Sequence, residues 1–239
     1  MENRKFGLLS DICVDQSESY SDKIFLTLDV DWAHDQIILD TVSLFEKHNV
    51  KATWFVTHET EVIDVLRAND HFELGIHPNF NALLEGDLSK GRNAEEIIDN
   101  LLEIVPEAKS VRSHSMAQSF RLLDLFSRKG LTHDSNDFIP EQSNVHLVPF
   151  CHWSGLTRIP FFWEDNVQIM YEENSSIDAL CRRPGLKVFN FHPIHIYMNT
   201  ESLDRYENTR AFHYEPEKLY KLRNNQSDGA MTILENIIS

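Results

Sequence analysis

Short apolar runs alternate with stretches of helical period along the chain, and this alternation limits the folds open to it. Ile24–Leu28, Ala52–Thr57, Phe72–Ile76, Lys109–Val111, Leu131–His133, Thr157–Phe162 and Lys187–Phe191 read as strands. Between them, Asp35–His48, Glu59–Ala68, Ala94–Val105 and Gln118–Lys129 carry apolar residues at three- and four-residue intervals. In the first of these Ile37, Ile38, Val42 and Phe45 make one apolar face, with Asp35 as its cap. Pro106 and Gly130 stop the third and fourth. Ser175–Cys181 predicts a further short helix, and Pro78–Arg92 and Pro140–Gly155 predict loops. Strands joined through helices pair in parallel. The pattern therefore predicts an α/β fold: a distorted (β/α) barrel of about seven strands, closed or incomplete. One domain is expected over residues 1–239, with its core at about 24–196 and a helical tail ending at Ala230–Ile238.

In such barrels functional groups gather at the C-terminal ends of the strands. The reactive side chains of this sequence fall there. Asp29 and Asp31 end the first strand, His77 the third, and Arg112 and His114 the fourth. Asp134 and Asp137 follow the fifth, Trp163, Glu164 and Asp165 the sixth, and His192 and His195 the last. Asp29 and Asp31 are two residues apart, a spacing that sends both side chains to one side of an extended chain. Two carboxylates held close repel, so a cation or an arginine must compensate them. Any one of these residues alone reads as an ordinary surface or core group.

Charge narrows the function classes. With 38 acidic and 22 basic residues, net −16, the chain lacks the basic face that a nucleic acid or an anionic membrane requires. No apolar run is long enough to span a bilayer, and Met1–Asp11 lacks the features of a signal peptide. Cys13, Cys151 and Cys181 are scattered and odd in number, which predicts reduced thiols and a cytoplasmic protein.

Asp29-Val30-Asp31, Gly75-Ile76-His77, Arg112-Ser113-His114-Ser115 and Phe189-Asn190-Phe191-His192 come in an order and spacing that resembles the polysaccharide deacetylases of the NodB-homology type, carbohydrate esterase family 4. The resemblance covers roughly Ile24 to Ile196. Gly75-Ile76-His77-Pro78-Asn79-Phe80 and Phe191-His192-Pro193 look like the WbmS-like branch found with O-antigen gene clusters.

The resemblance implies a divalent metal, commonly zinc, at the carbonyl of an N-acyl group. It implies Asp29 as general base, Arg112 as the partner that keeps Asp29 ionised, His192 as general acid, and Asp31 and His77 as metal ligands. Trp163 resembles the aromatic that closes the acyl pocket or is a core tryptophan at the barrel end, and a backbone N–H near Ser115 would face the developing negative charge. The sequence departs from the family at one ligand, because Asn81 stands where the family has a second histidine. Three resolutions are open. Asn81 ligates through its oxygen, His114 replaces the missing ligand, or tight metal binding is lost. His114 is the preferred one. Asn79 and Asn81 are then candidate substrate contacts or parts of an Asx-turn. His195 is a candidate substrate contact, a partner that orients His192, or a surface residue.

The expected function is metal-dependent N-deacetylation of a small acylated amino sugar, carried on a nucleotide or a lipid. Two other readings stay open: a carbon–nitrogen hydrolase on a non-sugar or N-formyl substrate, and a silent sugar-binding protein.

Overall fold

A computed structural model describes residues 4–171 and 176–239. Ten strands form one sheet: β1 (Lys5–Phe6), β2 (Lys23–Asp29), β3 (Ala52–Val56), β4 (Phe72–Ile76), β5 (Ser110–Val111), β6 (His133–Asp134), β7 (Phe150–Cys151), β8 (Thr157–Arg158), β9 (Trp163–Glu164) and β10 (Val188–Phe191). The helices are α1 (Asp35–His48), α2 (Val62–Arg67), α3 (Asn81–Leu84), α4 (Ala94–Ile104), α5 (Phe120–Arg128), α6 (Asp165–Tyr171), α7 (Ile177–Arg182), α8 (Pro193–Met198), α9 (Leu203–Thr209), α10 (Pro216–Lys221) and α11 (Ala230–Ile238).

The sheet order is β7-β8-β6-β5-β4-β3-β2-β10-β9, with β1 beside β2. Every pairing is parallel except β7 with β8. The result is a curled sheet of the distorted NodB-like barrel kind, with more strands than the seven expected. The excess comes from two-residue pieces at either side of a long central block. The run Thr157–Phe162, expected as one strand, is split. Its start pairs with β6, the chain then passes through Pro160, and β9 pairs with β10. Pro160 has no N–H to give to a ladder. The covalent chain, bridged to Phe138 at Phe161, thus runs from one side of the curl to the other.

Burial explains why β2, β3 and β10 are nearly continuous apolar runs. Both of their faces are covered, as parallel sheets require. Phe25, Trp54, Phe55, Phe161, Phe189 and Phe191 are fully buried in a cluster that extends from Leu9 to Ile238. Each such side chain contributes about 1.5–3 kcal/mol through loss of water contact. The N-terminal segment seals the base of the curl. Leu9 N–H donates to Thr53 Oγ1 at 3.1 Å and Ser10 N–H to Glu73 Oε2 at 3.0 Å.

Several local expectations are corrected. His34, not Asp35, caps α1, its Nδ1 accepting from Gln36 N–H at 3.1 Å; Asp35 instead accepts from Thr60 Oγ1. The expected Glu59–Ala68 helix is shortened to α2, with Val62 N–H donating to Thr60 Oγ1. Pro78–Arg92 contains α3, and Pro140–Gly155 contains β7. The expected Ser175–Cys181 helix is α7, and Ser175 lies outside the described residues. The tail carries α9 and α10 before the expected α11.

The register aligns the strand ends. Leu28 pairs with Phe191 and Ile76 with Val111. Asp29, His192, His77 and Arg112 are the next residues along those four strands. The ladder continues past its formal ends, with His77 N–H donating to Val56 O at 2.8 Å and Arg112 N–H to Ile76 O at 3.2 Å. Side chains at these positions therefore stand on fixed backbone.

Candidate metal centre and active site

Arg112 lies at the centre, only 1% exposed. Its guanidinium is held between the rings of Phe55, 4.7 Å away, and Phe161, 4.3 Å away. Nη1 donates to Asp29 Oδ1 at 3.2 Å and Thr27 Oγ1 at 2.8 Å, and also to Asn190 Oδ1. Nε and Nη2 donate to the backbone and hydroxyl oxygens of Ser135, each at 2.9 Å. The second oxygen of Asp29 accepts from Asn190 Nδ2 at 2.8 Å. Burial pushes the Asp29 carboxyl upward, but His77, Arg112 and His192 outweigh it and hold the group below its usual range. Asp29 is thus a buried, ionised carboxylate with a fixed orientation.

Beside it, three ligand atoms meet. Asp31 Oδ1 is 3.2 Å from His77 Nε2 and 3.1 Å from His114 Nδ1, and the two ring nitrogens are 3.3 Å apart. Ligands placed tetrahedrally about 2.0–2.1 Å from zinc are separated from one another by about 3.3 Å. Two imidazoles and a carboxylate are also the donor set that zinc accepts. The remaining nitrogen of His77, Nδ1, is buried without a hydrogen-bond partner, and Asp29 Oδ1 stands 3.7 Å away. The three residues fit a divalent cation. Burial raises the Asp31 carboxyl, and its bonds to His114 and His77 reverse that and carry it well below the usual range.

The backbone at this point is unusual. Asp31 (φ 44°) and Trp32 (φ 56°) are both left-handed, and so are Ser115 (φ 55°) and Met116 (φ 53°) beside His114. Aspartate tolerates that region; tryptophan does not, and each such residue costs about 1–3 kcal/mol. The turn carries Trp32, 36% exposed, to the rim, edge-on to His114 at 5.2 Å.

On the other side stands His192. Nδ1 of its ring is 2.7 Å from Asp165 Oδ1, and its backbone N–H donates to Asp165 Oδ2 at 2.7 Å. Its Nε2 faces Asp31 Oδ2 at 3.5 Å and Asp29 Oδ2 at 3.9 Å. Burial lowers the imidazole pKa, but Asp165, Asp31 and Asp29 raise it well above the usual value. Asp165, His192 and His195 are also close enough to suggest a second cation. The 2.7 Å contact between Asp165 and His192 is instead a hydrogen bond, and His195 is bonded elsewhere.

The sequence profile of the WbmS-like polysaccharide deacetylases matches residues 26–210. The chain belongs to this family. A crystal structure of WbmS from Bordetella bronchiseptica, assigned as a polysaccharide deacetylase involved in O-antigen biosynthesis, superposes with a TM-score of 0.93. The two are 43% identical, over 100% of this chain and 98% of that one. A structure from Mycobacterium smegmatis assigned as a polysaccharide deacetylase shares the fold, with a TM-score of 0.50 and 16% identity over 79% of this chain and 82% of that one. No curated protein sequence matches at a significant level.

Among the residues expected from the deacetylase motifs, Asp29, Asp31, His77, Arg112, His114 and His192 converge at one site. Others do not. Trp163 is 4% exposed, packed on Phe191 at 4.8 Å and Phe189 at 5.7 Å, with Nε1 donating to Gln168 Oε1. It is a core residue and no wall of an open pocket; the exposed aromatic of the site is Trp32. His195 is 3% exposed; its backbone N–H donates to His192 O at 3.0 Å, and its ring bonds to Thr200 and Asn166 rather than to the His192 ring. Asn79 forms an Asx-turn, its Oδ1 accepting from Asn81 N–H at 2.9 Å, and Asn81 Nδ2 donates to Ser115 Oγ at 3.2 Å. Asp134 and Asp137 are clamped by Arg158 at 2.6 Å and 2.7 Å.

Sequence reasoning missed Asn190, Asp165 and Asn166 as parts of the site. Asn190 had a signal, since it lies two residues before His192 on one strand. Asp165 was visible only as a residue after the sixth strand. Its bond to His192 spans 27 positions and no local pattern encodes it.

Proposed function

We propose that the chain is a divalent-metal-dependent N-deacetylase acting on an acylated amino sugar. The observation that supports this most is the juxtaposition of the Asp31–His77–His114 triangle with two separately braced proton-handling groups, Asp29 and His192. Asp31, His77 and His114 would hold the cation, with zinc the first choice for that donor set. A bound divalent cation lowers the pKa of water and polarises a carbonyl oxygen.

The chain's own residues then divide the proton transfers. Asp29, kept ionised by Arg112, accepts a proton from the attacking water. His192 delivers a proton from Nε2 to the departing amine nitrogen, with Asp165 balancing its charge through Nδ1. Arg112 and Asn190 hold the Asp29 carboxylate at the level of the strand ends. The products are a carboxylic acid and a free amino sugar. The assignment of the Bordetella relative to O-antigen biosynthesis supports a surface-polysaccharide precursor as substrate. We propose that the carrier is a nucleotide or a lipid in the cytoplasm.

The test is acid release from zinc-loaded protein. The panel comprises free, nucleotide-linked and lipid-linked N-acetyl amino sugars, their O-acetyl esters, and N-formyl amides. Release from the N-acetyl sugars is expected. Cleavage of esters alone, or of N-formyl amides alone, overturns the assigned bond. Tight sugar binding without turnover identifies a silent binding protein.

A further inference from the structure

A side-chain amide joins the rings of two histidines that no direct ring-to-ring bond connects. Asn166, at the start of α6, places Nδ2 3.3 Å from His192 Nε2 and 3.4 Å from Glu164 Oε1. Its Oδ1 is 2.7 Å from His195 Nε2. Nδ1 of His195 is 3.2 Å from Thr200 Oγ1. Tyr206 of α9 covers the His195 ring at 4.8 Å, and His213 stacks on Tyr206 at 4.8 Å.

An amide has one donor end and one acceptor end. Glu164 supplies an acceptor next to Nδ2, which sets the amide nitrogen towards His192 and the oxygen towards His195. His195 must then carry its proton on Nε2 to donate to that oxygen. Its bare Nδ1 accepts from the Thr200 hydroxyl. Burial keeps this imidazole neutral, with its pKa lowered to about 4. Each polar atom of His195 is thereby used, and the amide cannot turn over without breaking the bonds at both of its ends.

We propose that Asn166 and His195 are positioning residues for His192. Asp165 holds one edge of the His192 ring, and the amide N–H, locked by a single tautomer of His195, holds the other edge whenever Nε2 is bare, after the ring has given up its proton. The unequal distances suit this role. The 2.7 Å bond anchors the amide to His195, while the 3.3 Å contact to His192 is a weak bond that only a bare Nε2 accepts, so it gives way when Nε2 is protonated for transfer to substrate. A fully paired buried network specifies one geometry, whereas a ring held at one edge can rock. The inference rests on the reading of His192 as a proton-handling group; Asn166 touches that ring and His195 acts only through Asn166.

The decisive measurement is long-range proton–nitrogen NMR of full-length protein labelled with nitrogen-15 in histidine. The parent is expected to show His195 as the single tautomer protonated at Nε2. Asn166→Leu is expected to give mixed tautomers at His195 and a broadened His192 ring signal. His195→Gln, which keeps an N–H donor, is expected to leave the His192 signal sharp, while His195→Leu broadens it. Kinetics use the N-acetyl amino sugar turned over fastest in the panel. Asn166→Leu and His195→Leu should lose about tenfold to a hundredfold in kcat with KM little changed, and His195→Gln should recover most of it. His195 protonated at Nδ1 in the parent overturns the proposal. So does an Asn166→Leu protein whose His192 signal and kcat match the parent. If no panel member is turned over, the deacetylase reading fails, and the NMR result still decides the bridge.

Discussion

Both carboxylate oxygens of Asp165 are committed to His192, one to ring Nδ1 and one to the backbone N–H, each at 2.7 Å. The pair therefore fixes the ring and its peptide together, at the end of the last parallel strand. Asp165→Asn keeps the shape but removes the charge that stabilises a protonated ring. A fall in kcat of about a hundredfold or more is expected, with KM changed little. Steady-state kinetics with circular dichroism as a folding control checks this, and an unchanged kcat removes Asp165 from the proton pathway.

Metal content separates the candidate third ligands. The parent should hold about one equivalent of zinc or a similar cation after purification without chelators. Asp31→Ala, His77→Ala and His114→Ala should lose it, and Asn81→Ala should keep it, because Asp31, His77 and His114 already bring three ligand atoms together without Asn81. Elemental analysis of the four variants is sufficient. Loss in Asn81→Ala with retention in His114→Ala would return the third ligand to position 81.

Arg112 is a stability prediction as well as a functional one. Arg112→Met leaves Asp29 buried without its guanidinium and strips the Ser135 carbonyl of a donor. Breaking one partner of a buried pair costs about 3–5 kcal/mol. Urea unfolding should show a loss of that size. Adding Asp29→Asn to Arg112→Met should recover part of it, because the uncompensated charge is then gone. Strict additivity of the two losses would show that the residues do not act as a pair.

The parts of the fold that could be read from sequence share one physical property. β2, β3 and β10 are buried on both faces, so they appear as apolar runs whatever surrounds them. β6 and β8 are the short paired parts of the expected Leu131–His133 and Thr157–Phe162 runs, whereas β1, β7 and β9 are two-residue pieces too short to leave a pattern, and β propensity is too dependent on context to find them. The site divides in the same way. Asp29, His77 and His192 stand out because each interrupts an apolar strand with a reactive group. Asn190, Asp165 and Asn166 are polar residues among polar neighbours or in motifs already assigned. Only the closing of β10 against β2 and β9 brings them to work. Trp163 carries two readings in the sequence, pocket wall and barrel-end core, that no local pattern separates. Its place after a strand fits a pocket wall, but β9 turns it into the aromatic core.

His195 gives a pH signature that the folded structure alone can produce. Its folded-state pKa is about 4, against an ordinary value of 6.5 in the unfolded chain. Between those values the unfolded state binds a proton that the folded state refuses, so this residue makes stability fall as pH falls. Its contribution should be constant above about pH 6.5 and drop by about 3 kcal/mol on reaching pH 4. His192 acts in the opposite sense, since its raised pKa favours the folded state at low pH. The isolating measurement is therefore a difference. Urea unfolding of the parent and of His195→Gln should be compared at intervals from pH 7.5 to pH 4.5. The parent should lose stability relative to the variant throughout the window below pH 6.5. Parallel curves would mean that His195 is solvated or charged in the folded protein, and the dry, neutral ring that anchors Asn166 would then not exist.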